Sequence, residues 1–160
     1  MKRFIFFAAI LAISALIPLG NAGAQPLNDE CLTAEAVGEG SFPWDNTGSL
    51  IEGPIDCDAN MATDVWFLYT PTASGNAVIE TCLGGGTNDD TVLIVYDGLA
   101  GCPTAGAPCL ASGDDECENV AGGAGFMSQV QIPVIAGENY YVQVGGWNGA
   151  QGDGTLNIFF

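Results

Sequence analysis

The stretch Gly84–Gly98, GGGTNDDTVLIVYDG, decides the class of fold. Glycine-rich loops that cradle phosphate run into a helix whose N-terminus faces the anion, usually with a lysine. Here the loop runs into Thr91–Asp97, a β-branched and aromatic segment; no Lys follows, and Asp89–Asp90 repels phosphate. The stretch therefore reads as a turn feeding a β-strand. Because TVLIVY is apolar on both faces, the strand is expected to lie centrally in its sheet.

Outward from this strand, similar short segments recur between glycines: DVWFLYT (64–70), NAVIETC (76–82), FMSQVQIPV (126–134), NYYVQVGG (139–146) and GTLNIFF (154–160). Two of them alternate. Phe126, Val130, Ile132 and Val134 share a face with Ser128, opposite Met127, Gln129 and Gln131. Leu156, Ile158 and Phe160 oppose Thr155, Asn157 and Phe159. Period-two patterning marks strands buried on one face. Nothing after the N-terminal segment carries a long helical pattern; CLTAEAV (31–37) holds one helical turn at most. Many short strands joined by Gly, Pro and Asn turns imply an all-β antiparallel sandwich in one domain.

The N-terminus reads differently. Lys2 and Arg3 precede an apolar run from Phe4 to Leu19, and Ala22-Gly23-Ala24 supplies a small-residue cleavage pattern. Residues 1–24 are expected to be a secretory signal peptide and 25–160 the folded domain. Lys2 and Arg3 are the only basic side chains and there is no His, so the part after residue 24 keeps all 19 acidic residues and no basic one. Such a surface repels nucleic acid and anionic lipid and attracts cations. After signal cleavage no membrane insertion is expected, and the protein is placed outside the cell or on its surface. The six cysteines, Cys31, Cys57, Cys82, Cys102, Cys109 and Cys117, all follow the signal segment and read as three disulfides.

Two readings of Thr87–Asp90 stand side by side. One is a side-chain-capped turn. In the other, Asp90 joins Asp114 and Asp115 from SGDDECE (112–118), with Glu116 and Glu118 near, around Ca²⁺, which takes six to eight oxygen ligands. Asn28, Asp29 and Glu30 form a further acidic group, either capping the turn at Cys31 or supplying more cation ligands. Triad catalysis needs a His or Lys base, and neither is present after residue 24. A glycosidase needs only two carboxylates and is the remote catalytic alternative. Of the tryptophans, Trp66 lies mid-strand and Trp44 near the start of the domain. Trp147 sits in the glycine-rich loop GGWNGAQGDG and is the candidate for stacking on a glycan.

The order NDEC, a cysteine before DVWFLYT, GGGTNDDTVLIVYDG, ASGDDEC and NYYVQVGGWNGAQGDGTLNI resembles the bacterial secreted modules of the pre-peptidase C-terminal type, over about Asn28 to Ile158. The resemblance implies a jelly-roll β-sandwich without catalytic activity. In relatives such as the collagen-binding modules of clostridial collagenases it also implies calcium held by an acidic N-terminal segment and strand-edge aspartates. By position, Asn28, Asp29 and Glu30 match that segment, and Asp90, Asp114 and Asp115 match the loop acids. The six cysteines depart from the collagen binders, so collagen binding is not carried over. The resemblance further implies the pairing Cys31–Cys57, Cys82–Cys117 and Cys102–Cys109. Together these readings describe a secreted, non-catalytic binding or structural module with Ca²⁺ as its candidate ion. Its partner is an extracellular polysaccharide or protein surface, and a carbohydrate-binding module is the alternative.

Overall fold

Alternation along the strands turns into two stacked sheets. The computed structural model describes residues 24–83, 85–119 and 125–160; residues 1–23 of the expected signal segment, Gly84 and the side chain of Glu118 lie outside them. The strands are β1 (Glu35–Val37), β2 (Gly40–Asp45), β3 (Met61–Tyr69), β4 (Gly75–Glu80), β5 (Thr91–Asp97), β6 (Cys109–Gly113), β7 (Gln129–Val134), β8 (Tyr140–Trp147) and β9 (Asp153–Phe159). One sheet has the order β1-β3-β8-β5-β6 and the other β2-β9-β4-β7. β2 pairs with β9, β3 with β8, β4 with β7 and β5 with β6, all antiparallel. This nesting of early strands with late ones is a long hairpin rolled over on itself, the jelly-roll arrangement. β1 adds to β3 in parallel at one edge. CLTAEAV accordingly divides into a 3-10 turn at Cys31–Thr33 and the edge strand β1. Among the described residues no helix is long and apolar enough to cross a membrane.

Between the sheets lies the main core, with Val65, Phe67, Leu93, Val95, Val142 and Val144 from one sheet and Ile79, Ile132, Leu156 and Ile158 from the other. Trp44 is buried there as well. Val130, Ile132 and Val134 face inward as the alternation predicts, but Phe126 is 62% exposed and Met127 is buried. The strand begins only at Gln129, and before it the pleat does not apply: Met127 packs on the Cys82–Cys117 disulfide instead. Phe160, expected inward, lies past the end of β9 and is exposed.

A second core covers the outer face of the five-stranded sheet, where Met61, Trp66, Val92, Ile94 and Tyr96 pack beneath Cys31, Ile55, Cys57, Ala107 and Cys109. This cover explains why TVLIVY is apolar on both faces. The strand is interior to its sheet, as expected, paired with β8 on one side and with the edge strand β6 on the other, and loops shield its outer face. Gly53 lets one of these loops descend, since a Cβ there falls 2.1 Å from Trp66 Cζ2. Beneath the cover runs a buried polar chain. Glu52 N donates to Asp64 Oδ1 (3.2 Å), Gln143 Nε2 donates to Asp64 Oδ2 (2.6 Å), and the Tyr96 hydroxyl donates to Pro54 O (2.9 Å).

The disulfides correct the expected pairing. Cys82–Cys117 is present, whereas Cys31 bonds Cys102 and Cys57 bonds Cys109, in place of Cys31–Cys57 and Cys102–Cys109. The segment from Gly98 to Cys109 does not close on itself. It lies over the second core, where Gly106 N donates to Asp56 Oδ2 at 2.7 Å, and its two cysteines meet the other two segments that cover the same sheet. The Cα separations of 5.8 and 6.4 Å fall within the disulfide range.

Candidate cation site

Glycines and an Asx turn set up one wall of the site. Gly86 passes so close to β9 that a Cβ would lie 2.0 Å from Asp153 O. Asn88 is buried, and its Oδ1 accepts from Asp90 N at 3.1 Å. The turn reading of Thr87–Asp90 is therefore correct, and the turn aims Asp90. Trp147 at the end of β8 donates its backbone N–H to Asp90 O (3.1 Å), which fixes the indole beside the carboxylate.

The opposite wall is the segment after β6. A buried hydroxyl cluster holds it. Thr81 and Thr91 Oγ1 atoms are 2.7 Å apart, Thr91 and Ser128 hydroxyls 3.0 Å apart, and Ser128 Oγ lies 2.9 Å from Asp114 O. The Cys82–Cys117 disulfide ties the same segment to the end of β4. Side chains from both walls thus face a shared space of about 280 Å³ lined by Asp90, Asp114, Asp115, Phe126 and Trp147.

Ligand atoms of Asp90, Asp114 and Asp115 lie within 4.8 Å of one another, the only such group of three among the described residues. Asp114 Oδ1 is buried without a hydrogen-bond partner. Burial, then the charges of Asp115, Asp58, Asp90 and Glu116, push the Asp114 carboxyl up to about 6. Burial raises Asp90 too, with Asp115 and Asp89 adding to the effect. Three hard oxygen donors, one of them orphaned, with no cationic side chain to neutralise them, suit a divalent ion that prefers oxygen ligands.

Asn28, Asp29 and Glu30 do not join this group. Asn28 exchanges hydrogen bonds with the backbone of Trp66, donating through Nδ2 at 3.1 Å and accepting from Trp66 N at 2.8 Å. Asp29 is buried and accepts from Leu50 N at 3.1 Å. Glu30 takes the cap position of the 3-10 turn but makes no side-chain cap bond, so the capping reading of this segment is not realised through its side chains. Phe126 is the lining residue that sequence reasoning missed. Its signal was the adjacent apolar pair Phe126-Met127, which breaks strict alternation.

No family model matches the chain, and no curated protein matches it. Among solved structures the chain is similar to the pre-peptidase C-terminal domain of a collagenase from Bacillus anthracis, with 12% identity, 79% of this chain and 94% of that one covered, and a TM-score of 0.47. It is also similar to the carbohydrate-binding module CBM6cm-2 from Cellvibrio mixtus lichenase 5A, solved with cellotriose, with 16% identity, 76% and 87% covered, and a TM-score of 0.32. At these values neither likeness carries residue roles or ligands to this chain.

Proposed function

We propose that this chain is an exported, non-catalytic binding module whose acidic pocket holds Ca²⁺. The convergence of Asp90, Asp114 and Asp115 within 4.8 Å carries this reading. Each carboxylate supplies one or two oxygens, and backbone carbonyls or water complete the six to eight that the ion takes. When the pocket is empty the three charges repel; the ion removes that repulsion and locks the two walls together. The disulfides suit an oxidising compartment, which supports a position outside the cell.

Calcium at 100 times its dissociation constant stabilises by about 2.7 kcal/mol. Melting is expected to rise by several degrees in millimolar Ca²⁺ relative to chelator, and by less in Na⁺ at matched ionic strength. Asp90→Asn and Asp115→Asn are expected to blunt the calcium-specific part alone. Equal responses to Ca²⁺ and Na⁺ would refute the site.

A second reading, carbohydrate binding, is favoured by one observation: Trp147 is 39% exposed and lines the same pocket beside Phe126. Its signature is saccharide binding that Trp147→Ala abolishes. The ligand is then an extracellular polysaccharide; in the first reading a protein surface serves equally.

A further inference from the structure

The outer face of the four-stranded sheet carries a different constellation. Ser41 stands opposite Asn157, Asn157 opposite Glu80, and Glu80 opposite Gln129, so one polar row crosses all four strands. Within the row, Ser41 Oγ donates to Asn157 Oδ1 (2.6 Å) and Gln129 Nε2 donates to Glu80 Oε2 (2.8 Å). Glu80 is 1% exposed, yet its other oxygen, Oε1, has no hydrogen-bond partner among the described residues. Glu80, Ser41 and Asn157 line a pocket of about 310 Å³ together with Leu83 and Phe159. Phe159 is 42% exposed and Leu83 55%. Val78 stands opposite Phe159, so an apolar row lies beside the polar one.

A buried carboxyl oxygen left without a donor is among the costlier arrangements in a protein, and such a group takes its partner from water or from a ligand that displaces the water. The partner has to donate a hydrogen bond. With no Lys, Arg or His after Arg3, the domain itself has no cation to offer. The net negative charge turns anionic ligands away. An ammonium group satisfies Glu80 but offers nothing to a donor, whereas Asn157, half-buried and with its carbonyl already engaged by Ser41, has an amide nitrogen free to donate to a ligand acceptor. A hydroxyl both donates and accepts. Adjacent hydroxyls on a flat, partly apolar ring match a polar row flanked by an aromatic side chain.

We propose that this pocket binds a neutral saccharide, with one sugar ring packed on Phe159, a hydroxyl donating to Glu80 Oε1, and a neighbouring hydroxyl accepting from Asn157. The site shares no lining residue with the acidic pocket and needs no cation.

The test is a titration of the protein, in chelator, with cellohexaose, xylohexaose and mannohexaose at millimolar concentration, followed residue by residue by amide NMR. At least one sugar is expected to shift Glu80, Asn157 and Phe159. Phe159→Ala, at an exposed position that the fold tolerates, is expected to weaken binding about three- to tenfold. Glu80→Gln, which loses the charged acceptor, is expected to weaken it tenfold or more. No shift with any of the three sugars overturns the proposal. So does binding that survives Phe159→Ala but disappears in Trp147→Ala, which assigns the sugar to the acidic pocket. Shifts at Glu80 from N-acetyllysine amide and from no sugar also overturn it and make the pocket an amine site. Because the titration is run in chelator, failure of the calcium site leaves this result unaffected.

Discussion

The two faces of the five-stranded sheet are both dry, but they are built by different means. The inner face is hydrocarbon against hydrocarbon: Val65, Phe67, Val142 and Val144 meet Ile79, Leu156 and Ile158 of the opposite sheet. The outer face has no sheet to meet. Loops cover it, two disulfides pin the loops, and a buried carboxyl, Asp64, receives one backbone donor from a loop (Glu52 N) and one side-chain donor from the sheet itself (Gln143). A regular partner buries a face through side-chain alternation alone. An irregular partner brings backbone polar groups with it, and these have to be paired and held in place.

That comparison breaks most severely at the inner face. Phe67 is fully buried there, and Phe67→Ala is expected to cost about 3–5 kcal/mol. Denaturant unfolding measures this, and a loss below 1 kcal/mol would mean that the hydrocarbon layer is not the principal support. Removing one staple of the outer face, with Cys57→Ala and Cys109→Ala together, is expected to cost about 2–5 kcal/mol, toward the low end if the inner core persists. Hydrogen exchange then accelerates in 49–57 and 98–109 before it does in β4 or β9; uniform acceleration would show that the two faces unfold as one unit.

The smallest effect concerns Asp64. Burial lifts its carboxyl from 3.8 to about 6, while hydrogen bonds from Gln143 and Glu52 N pull the other way. The folded protein therefore holds this proton more tightly than the unfolded chain does. The stabilisation is fully present below about pH 4 and is lost as pH rises through 6, amounting to roughly 2–3 kcal/mol. Asp64→Asn is expected to flatten that loss in thermal melts between pH 4 and 7. A residual slope of the same sign remains from Asp114, whose carboxyl is lifted in the same direction. An unchanged slope in the variant would show that Asp64 is ionised in the fold without penalty.

The same contrast explains what was legible in the sequence. Alternation in β7 and β9 pointed to the inner core, since period two is a property of the chain alone. The turn at Asn88 was readable from its residues, and the meeting of Asp90 with Asp114 and Asp115 stood as one of two readings, which depended on a Cys82–Cys117 bond that only the family resemblance implied. Asp64, by contrast, is only the first, polar residue of DVWFLYT in the sequence; its burial depends on tertiary neighbours, Gln143 and the loop that brings Glu52 N to it. The pairings of Cys31 and Cys57 depend on how loops cross a sheet face, which no local pattern encodes. The row Ser41-Asn157-Glu80-Gln129 is likewise a product of register between four strands far apart in the chain.

The rolled nesting of strands has a consequence for how the molecule is made. Ser41 in β2 meets Asn157 in β9 across 116 residues, and β3 likewise waits for β8. As the chain grows from its N-terminus, the early strands β2 and β3 lack their antiparallel partners until the late ones exist; only the short edge strand β1 finds its neighbour, β3, early. Folding dominated by such distant pairings is slow, on the order of milliseconds to seconds, because loop closure precedes its reward. During synthesis the half-made polypeptide is consequently a pliable thread rather than a partly built domain, and the architecture closes only when its last strands arrive.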